Sequence, residues 1–187
     1  MTARPLRADA QRNRDRLIEA AVEAFSQGGT DEVTLEAIAK DAGVGIGTLY
    51  RHFPTREALV DAAYRDELTK LIDSAAELLG SMAPDVALRT WMDHFVAYMI
   101  TKQGMGDALK ALIASGGNPF ADSRERLKGA LKQLLDASIA AGTIRADIDA
   151  WDMLVSLSGV ALAGDQAKHE QIGRLLDLLL DGLRFRR

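Results

Sequence analysis

The sequence predicts an all-α protein. Apolar residues recur at three- and four-residue spacing along most of its length, glycine and proline interrupt that period at helix-length intervals, and no alternating run of β-branched residues competes with it. The pattern resolves into about nine helices: three short N-terminal ones, a long fourth that joins two domains, and a C-terminal bundle. The boundary is expected near residue 56, with one domain over 1–56 and a second over 57–187.

The first helix is carried by Leu17, Ile18, Ala21, Val22 and Phe25, and Gly28 and Gly29 suit its C-terminus. Thr34 is a fitting N-cap for the second, whose apolar face is Leu35, Ile38, Ala39 and Ala42 before Gly43. After a turn from Gly43 to Gly45 the third runs from Ile46 to Phe53, because Pro54 disfavours helical geometry in the residue before it. Thr55 can cap the fourth, in which Leu59, Val60, Ala63, Tyr64, Leu68, Leu71, Ile72, Ala75 and Leu79 keep helical period up to Gly80. Five more helices are expected near 85–102, 105–115, 121–141, 149–164 and 167–184, divided by Gly104, the Gly116 to Pro119 cluster, Gly142 and Gly164.

A chain of 187 residues with 48% hydrophobic and 27% charged residues can bury one good core or two small ones. It lacks cysteine, which removes disulfides and thiolate chemistry together. Met1 to Arg16 is polar, and no run approaches the roughly 18 apolar residues of a membrane span, so a cytoplasmic location without membrane attachment is expected. The net charge of −4 says nothing for a nucleic-acid partner, but its distribution does. Arg4, Arg7, Arg12, Arg14 and Arg16 outweigh Asp9 and Asp15 in what reads as a flexible leader, suited either to a phosphate backbone or to plain solvation.

Two short helices joined by a tight glycine turn and braced by a third describe a helix-turn-helix, whose second helix enters the major groove of DNA. At 100° per residue, Ile46, Leu49 and Phe53 turn to the core, which leaves Gly47, Thr48 and Arg51 outward and Tyr50 at the edge. Arg51 can donate two hydrogen bonds to a guanine edge, Thr48 can meet a thymine methyl or a phosphate, and the glycines allow close backbone approach. Tyr50, His52, Arg56 and Thr34 would reach flanking phosphates, which fix position rather than sequence. Each has an ordinary structural use as well: Tyr50 against Phe53, His52 in solvent, Thr34 as a cap. Their common spacing is what points to DNA.

The run TLEAIAKDAGVGIGTLYRHFPTREAL, Thr34 to Leu59, closely resembles the signature of the TetR family of transcriptional regulators, and the similarity covers roughly residues 12–60. The resemblance implies a homodimer with an N-terminal DNA-binding domain, a C-terminal effector domain and repression relieved by a small ligand. It places groove and phosphate contacts on Thr34, Gly45, Ile46, Gly47, Thr48, Tyr50, Arg51, His52 and Arg56. Two positions depart from the family pattern. Gly45 stands where many members have serine, and Arg56 replaces a common lysine, which keeps the charge but changes the donors.

In the C-terminal half, the last two helices carry more apolar residues than one stripe needs, and a second subunit is their natural cover, with a thick core within one subunit as the alternative. The expected dimer contacts are Leu157, Val160, Ala161, Leu175, Leu176, Leu179 and Leu183. Trp91, His94, Phe95, Tyr98 and Met99, with Met105 and Leu109, concentrate large side chains and a few polar groups where an apolar or aromatic effector could bind, although the same stripe also serves as core. The three histidines, His52, His94 and His169, lack metal-ligand or nucleophile partners at recognisable spacing, so no catalytic residue, metal or cofactor is expected. A helical interaction module without DNA binding is the remaining rival.

Overall fold

A computed structural model describes residues 3–27, 33–163 and 169–184. The expected features at Gly28, Gly29 and Gly164 lie outside these residues, as do the side chains of Arg4, Arg7 and His169. Among the described residues there are nine helices and no strand: α1 (Ala3–Gln27), α2 (Leu35–Asp41), α3 (Ile46–His52), α4 (Arg56–Ser81), α5 (Pro84–Gly104), α6 (Gly106–Ala114), α7 (Ser123–Ala140), α8 (Ala150–Ala163) and α9 (His169–Leu183).

Helix α1 begins much earlier than its apolar stripe, so the basic segment read as a flexible leader is helical from Ala3 onward. Local pairs on its exposed face support that extension. Arg12 pairs with Asp9 one turn away, and Gln11 donates to Asp15 at 2.7 Å. Side-chain pairs at three- and four-residue spacing stabilise a helix without any buried face.

The chain divides into two compact units. One comprises Met1–Glu67 together with Thr101–Pro119, and the other Leu68–Ile100 with Phe120–Arg187. The first unit therefore extends past residue 56 and includes the end of α5 and all of α6. Its core is Leu17, Ile18, Ala21 and Phe25 of α1 against Ile38, Leu49, Leu59 and Tyr64, all buried. Helices α1, α2 and α3 pack on one another pairwise. Burying these eight side chains contributes roughly 1.5–3 kcal/mol for each large one, which is what holds two seven-residue helices that are too short to persist alone.

In the second unit, α7 packs on α8 and α8 on α9. Its buried side chains include Leu88, Trp91, Met92, Leu131, Leu134, Leu157 and Leu176. Two polar groups carried inward give their protons to main-chain carbonyls: Trp91 Nε1 donates to that of Leu71 at 2.9 Å, and Ser138 Oγ to that of Leu134 at 2.8 Å. Arg89 ties α5 to α9, with Nε donating to Asp177 at 2.7 Å and Nη2 to the Gly173 carbonyl at 3.3 Å.

Candidate nucleic-acid interface

The two short helices of the first unit are set by their caps. Thr34 is extended, at φ −93° and ψ 153°, and its Oγ1 accepts from Ala37 N at 3.2 Å. At the other end of α2, Gly43 adopts φ +63°, its N–H donates to Lys40 O at 3.0 Å, and Val44 N donates to Ala39 O at 2.8 Å. This paired closure needs a left-handed residue, which glycine supplies without steric cost, and it makes the turn tight enough to start α3 two residues later.

Gly45 is the N-cap of α3 and offers no side-chain hydrogen bond, as expected where serine is missing. Leu49 anchors the helix in the core with no exposed surface, and Phe53 follows it. The outward face is then Gly47, Tyr50 and Arg51, all exposed, with Thr48 and His52 half-buried. A β-carbon at Gly45 or Gly47 would meet nothing within 4 Å, so both positions offer bare backbone to an approaching surface. Arg51 forms no hydrogen bond or ion pair among the described residues.

Ile46 departs from expectation. Sequence periodicity turns it inward with Leu49 and Phe53, but it is 38% exposed. The physical reason lies at the helix end. Side chains lean towards a helix N-terminus, and the first residue of a two-turn helix overhangs the core that Leu49 fills one turn later. Tyr50 stands 46% exposed beside it, so the face offers two large apolar surfaces flanking the glycines as well as a cation.

Arg56 serves the scaffold. Its guanidinium lies 4.9 Å from the centroid of the Phe25 ring and donates to the Val33 carbonyl, joining α4, α1 and the residue before the Thr34 cap. Sequence reasoning found its charge but not this role, which depends on a contact spanning 23 positions. The charges of Arg14 and Arg16 were likewise legible but their places were not: the Arg14 guanidinium lies 5.5 Å from the Phe53 ring centroid, and Arg16 Nη1 is 3.8 Å from where a β-carbon on Gly43 would lie. The helical extension of α1 is what brings these arginines to the edge of the helix-turn-helix.

The remaining candidate residues are distributed as follows. Trp91, Phe95 and Tyr98 are buried in the second unit, Met99 is half-buried, and His94 is exposed with Nδ1 3.4 Å from Ser74 Oγ. Met105 and Leu109 are buried in the first unit. Of the residues named for the dimer, Leu157, Ala161, Leu176 and Leu183 are buried within the chain's own bundle, while Val160, Leu175 and Leu179 are half-buried. The large apolar side chains left outside on these helices are Trp151, Val155, Leu162 and Leu178. Their period is readable: 151, 155 and 162 share one side of α8, and 175 and 178 share one side of α9. No helix among the described residues is long and apolar enough to cross a membrane.

Residues 17–63 match the family described as bacterial regulatory proteins of the tetR family, and residues 83–185 match the C-terminal domain described as transcriptional regulator SbtR-like. A TetR transcriptional regulator from Streptomyces coelicolor, SCO0520, superposes with a TM-score of 0.87 at 52% identity, over 93% of this chain and 99% of that one. A TetR regulatory protein from Mycobacterium vanbaalenii does so at 0.80 and 35% identity, over 97% of this chain and all of its own. A curated relative, the HTH-type transcriptional regulator SAB2452 of Staphylococcus aureus, is 27% identical over 107 residues, which span 57% of this chain and 58% of that protein.

Proposed function

The chain belongs to the TetR family of DNA-binding transcriptional regulators, a family of regulators and not of enzymes, and on that premise we propose that it is a homodimeric repressor released from a palindromic operator by a small molecule. The observation that carries this reading is the outward face of α3. Bare backbone at Gly45 and Gly47, the exposed Tyr50 and Ile46, and an Arg51 without a partner among the described residues make a small, polar and cationic surface that fits a major groove.

In this reading Arg51 reads a guanine, Gly47 and Ile46 approach the bases, and Thr48 meets a thymine methyl or a phosphate. Thr34, Tyr50 and His52 contact flanking phosphates, and Arg56 contributes charge while holding Thr34 in place through Val33. A dimer presents two such helices roughly 34–36 Å apart, one turn of DNA, so that both enter successive major grooves. The dimer face is assigned to α8 and α9. Val160, Leu175 and Leu179, which are half-buried, join Trp151, Val155, Leu162 and Leu178, and the absent side chain at Gly159 permits close helix approach.

For the effector, α5 supplies Trp91, Phe95, Tyr98 and Met99 as apolar wall and His94 as a polar group. An apolar or aromatic ligand fits that chemistry. Trp91 acts as wall only, because its N–H is already given to Leu71. Met105 and Leu109, expected from the sequence to share this role, are buried in the first unit.

Selection of duplexes from a randomised library tests the operator assignment. The expected product is an inverted repeat whose half-sites are centred about 10 base pairs apart or a multiple of it. Enrichment of a single unrepeated site, or none, contradicts the dimeric reading.

A further inference from the structure

The last residue of α5, Gly104, lies against the backbone of Ser26 near the end of α1. A β-carbon at Gly104 would fall 2.6 Å from Ser26 O, 2.8 Å from its Cα and 3.1 Å from its carbonyl carbon. All three neighbours are main-chain atoms, so the overlap cannot be relieved by rotating a side chain. Ser26 is itself held: its Oγ donates to the Val22 carbonyl at 2.6 Å, and the next residue back, Phe25, is fully buried. Both partners lie within the first unit.

From Ser26 the contacts continue towards the DNA-facing side. Phe25 carries the Arg56 guanidinium on its ring, Arg56 donates to the Val33 carbonyl, and Val33 precedes the Thr34 cap of α2. The route uses packed, buried or hydrogen-bonded groups at each step, the kind of contiguous network through which one site displaces another. By contrast, a β-carbon at Gly106, two residues on, would meet nothing within 4 Å.

We infer that Gly104 is a positioning residue for operator binding: its missing side chain lets the end of α5 seat on the α1 backbone, and the seat sets the pose of α2 and α3 through Phe25 and Arg56. Residues Pro84–Ile100 of the same helix belong to the second unit. The inference rests on the DNA-binding reading above and adds to it the contact that poses α2 and α3.

The chain contains no cysteine, so Lys40→Cys at the exposed end of α2 gives one spin-label site per subunit. In that background Gly104→Ala is compared with Gly106→Ala, at a temperature where circular dichroism shows parental helicity. Gly104→Ala is expected to shift the label-to-label distance in the dimer and to weaken binding of a library-selected duplex about 5-fold or more, the lower end of ordinary coupling between sites. Gly106→Ala should change neither. A folded Gly104→Ala protein with parental distance and affinity overturns the inference. Should Gly104→Ala fail to fold, Phe25→Leu carries the test, because it leaves the seat and removes the ring under Arg56. The same loss of affinity supports the route, and parental affinity refutes it. A parent protein that selects no duplex removes the DNA-binding reading and this inference together, whereas a binding parent with an equally binding Gly104→Ala removes the inference alone.

Discussion

The Arg56 guanidinium rests on the Phe25 ring, 4.9 Å from its centroid, and donates to the main chain of Val33. One side chain thus secures three segments of the first unit. A cation over an aromatic face contributes about 0.5–1 kcal/mol where exposed and more when desolvated, and lysine cannot reproduce the planar stacking. Arg56→Lys is therefore expected to lower unfolding free energy by about 1 kcal/mol in denaturant titration. It should weaken operator binding equally for all sequences. A change in preferred sequence would show that Arg56 reads bases.

Arg51 has the opposite profile, being exposed and unpartnered among the described residues. Arg51→Ala should leave stability within about 0.5 kcal/mol of the parent, as for surface substitutions generally. In a randomised operator library it should relax preference at one base pair per half-site, by about 1–3 kcal/mol of discrimination. Unchanged preference would remove Arg51 from base contact.

Leu176 and Leu178 are two positions apart on α9 and face different surroundings: the first is fully buried and the second 70% exposed. Leu176→Ala should cost about 2–5 kcal/mol of stability through cavity formation. Leu178→Glu should leave the monomer's helicity intact while shifting sedimentation towards the monomer. If Leu178→Glu remains a dimer at low micromolar concentration, the exposed face of α9 is not the interface.

Burial pulls the Lys102 ammonium below its ordinary 10.5, and the ammonium lies 6.0 Å from the Tyr64 ring centroid. Because the folded chain then holds its proton less tightly than the unfolded chain, stability rises with pH only between the lowered folded value and the unfolded one. The parent should therefore gain melting temperature relative to Lys102→Met as pH climbs from the lowered folded value to about 10.5, and show a constant offset below that window. An offset that stays flat throughout would mean that folding leaves this proton affinity unchanged.

The helix-turn-helix was legible because its information is local. Thr34, Gly43 and Pro54 punctuate two-turn helices within a few residues, and Leu49 and Phe53 mark the buried side. Helix α1 was legible only over its apolar stripe, because the earlier residues are held by pairs such as Arg12 with Asp9 that leave no hydrophobic period. On α8 and α9, periodicity showed apolar residues on more than one side without showing which side the bundle takes. Leu157 and Leu176 went inward, and Val155, Leu162 and Leu178 stayed out. The contacts of Gly104 with Ser26 and of Arg56 with Phe25 join distant positions, and no local pattern announces them.

The central claim is that the outward side of α3, with its flanking polar groups, engages a DNA backbone and bases. Its most direct test is the salt dependence of binding to the selected duplex, followed by fluorescence anisotropy. Neutralised phosphates release counterions, so log K should fall linearly with log salt, with a slope of about −0.9 for each phosphate engaged. The account predicts a steep slope that Tyr50→Phe leaves unchanged while lowering affinity at every salt concentration, because a neutral phenol contacts a phosphate without displacing a counterion. Absence of binding to any duplex at low salt, or affinity indifferent to salt, would contradict it.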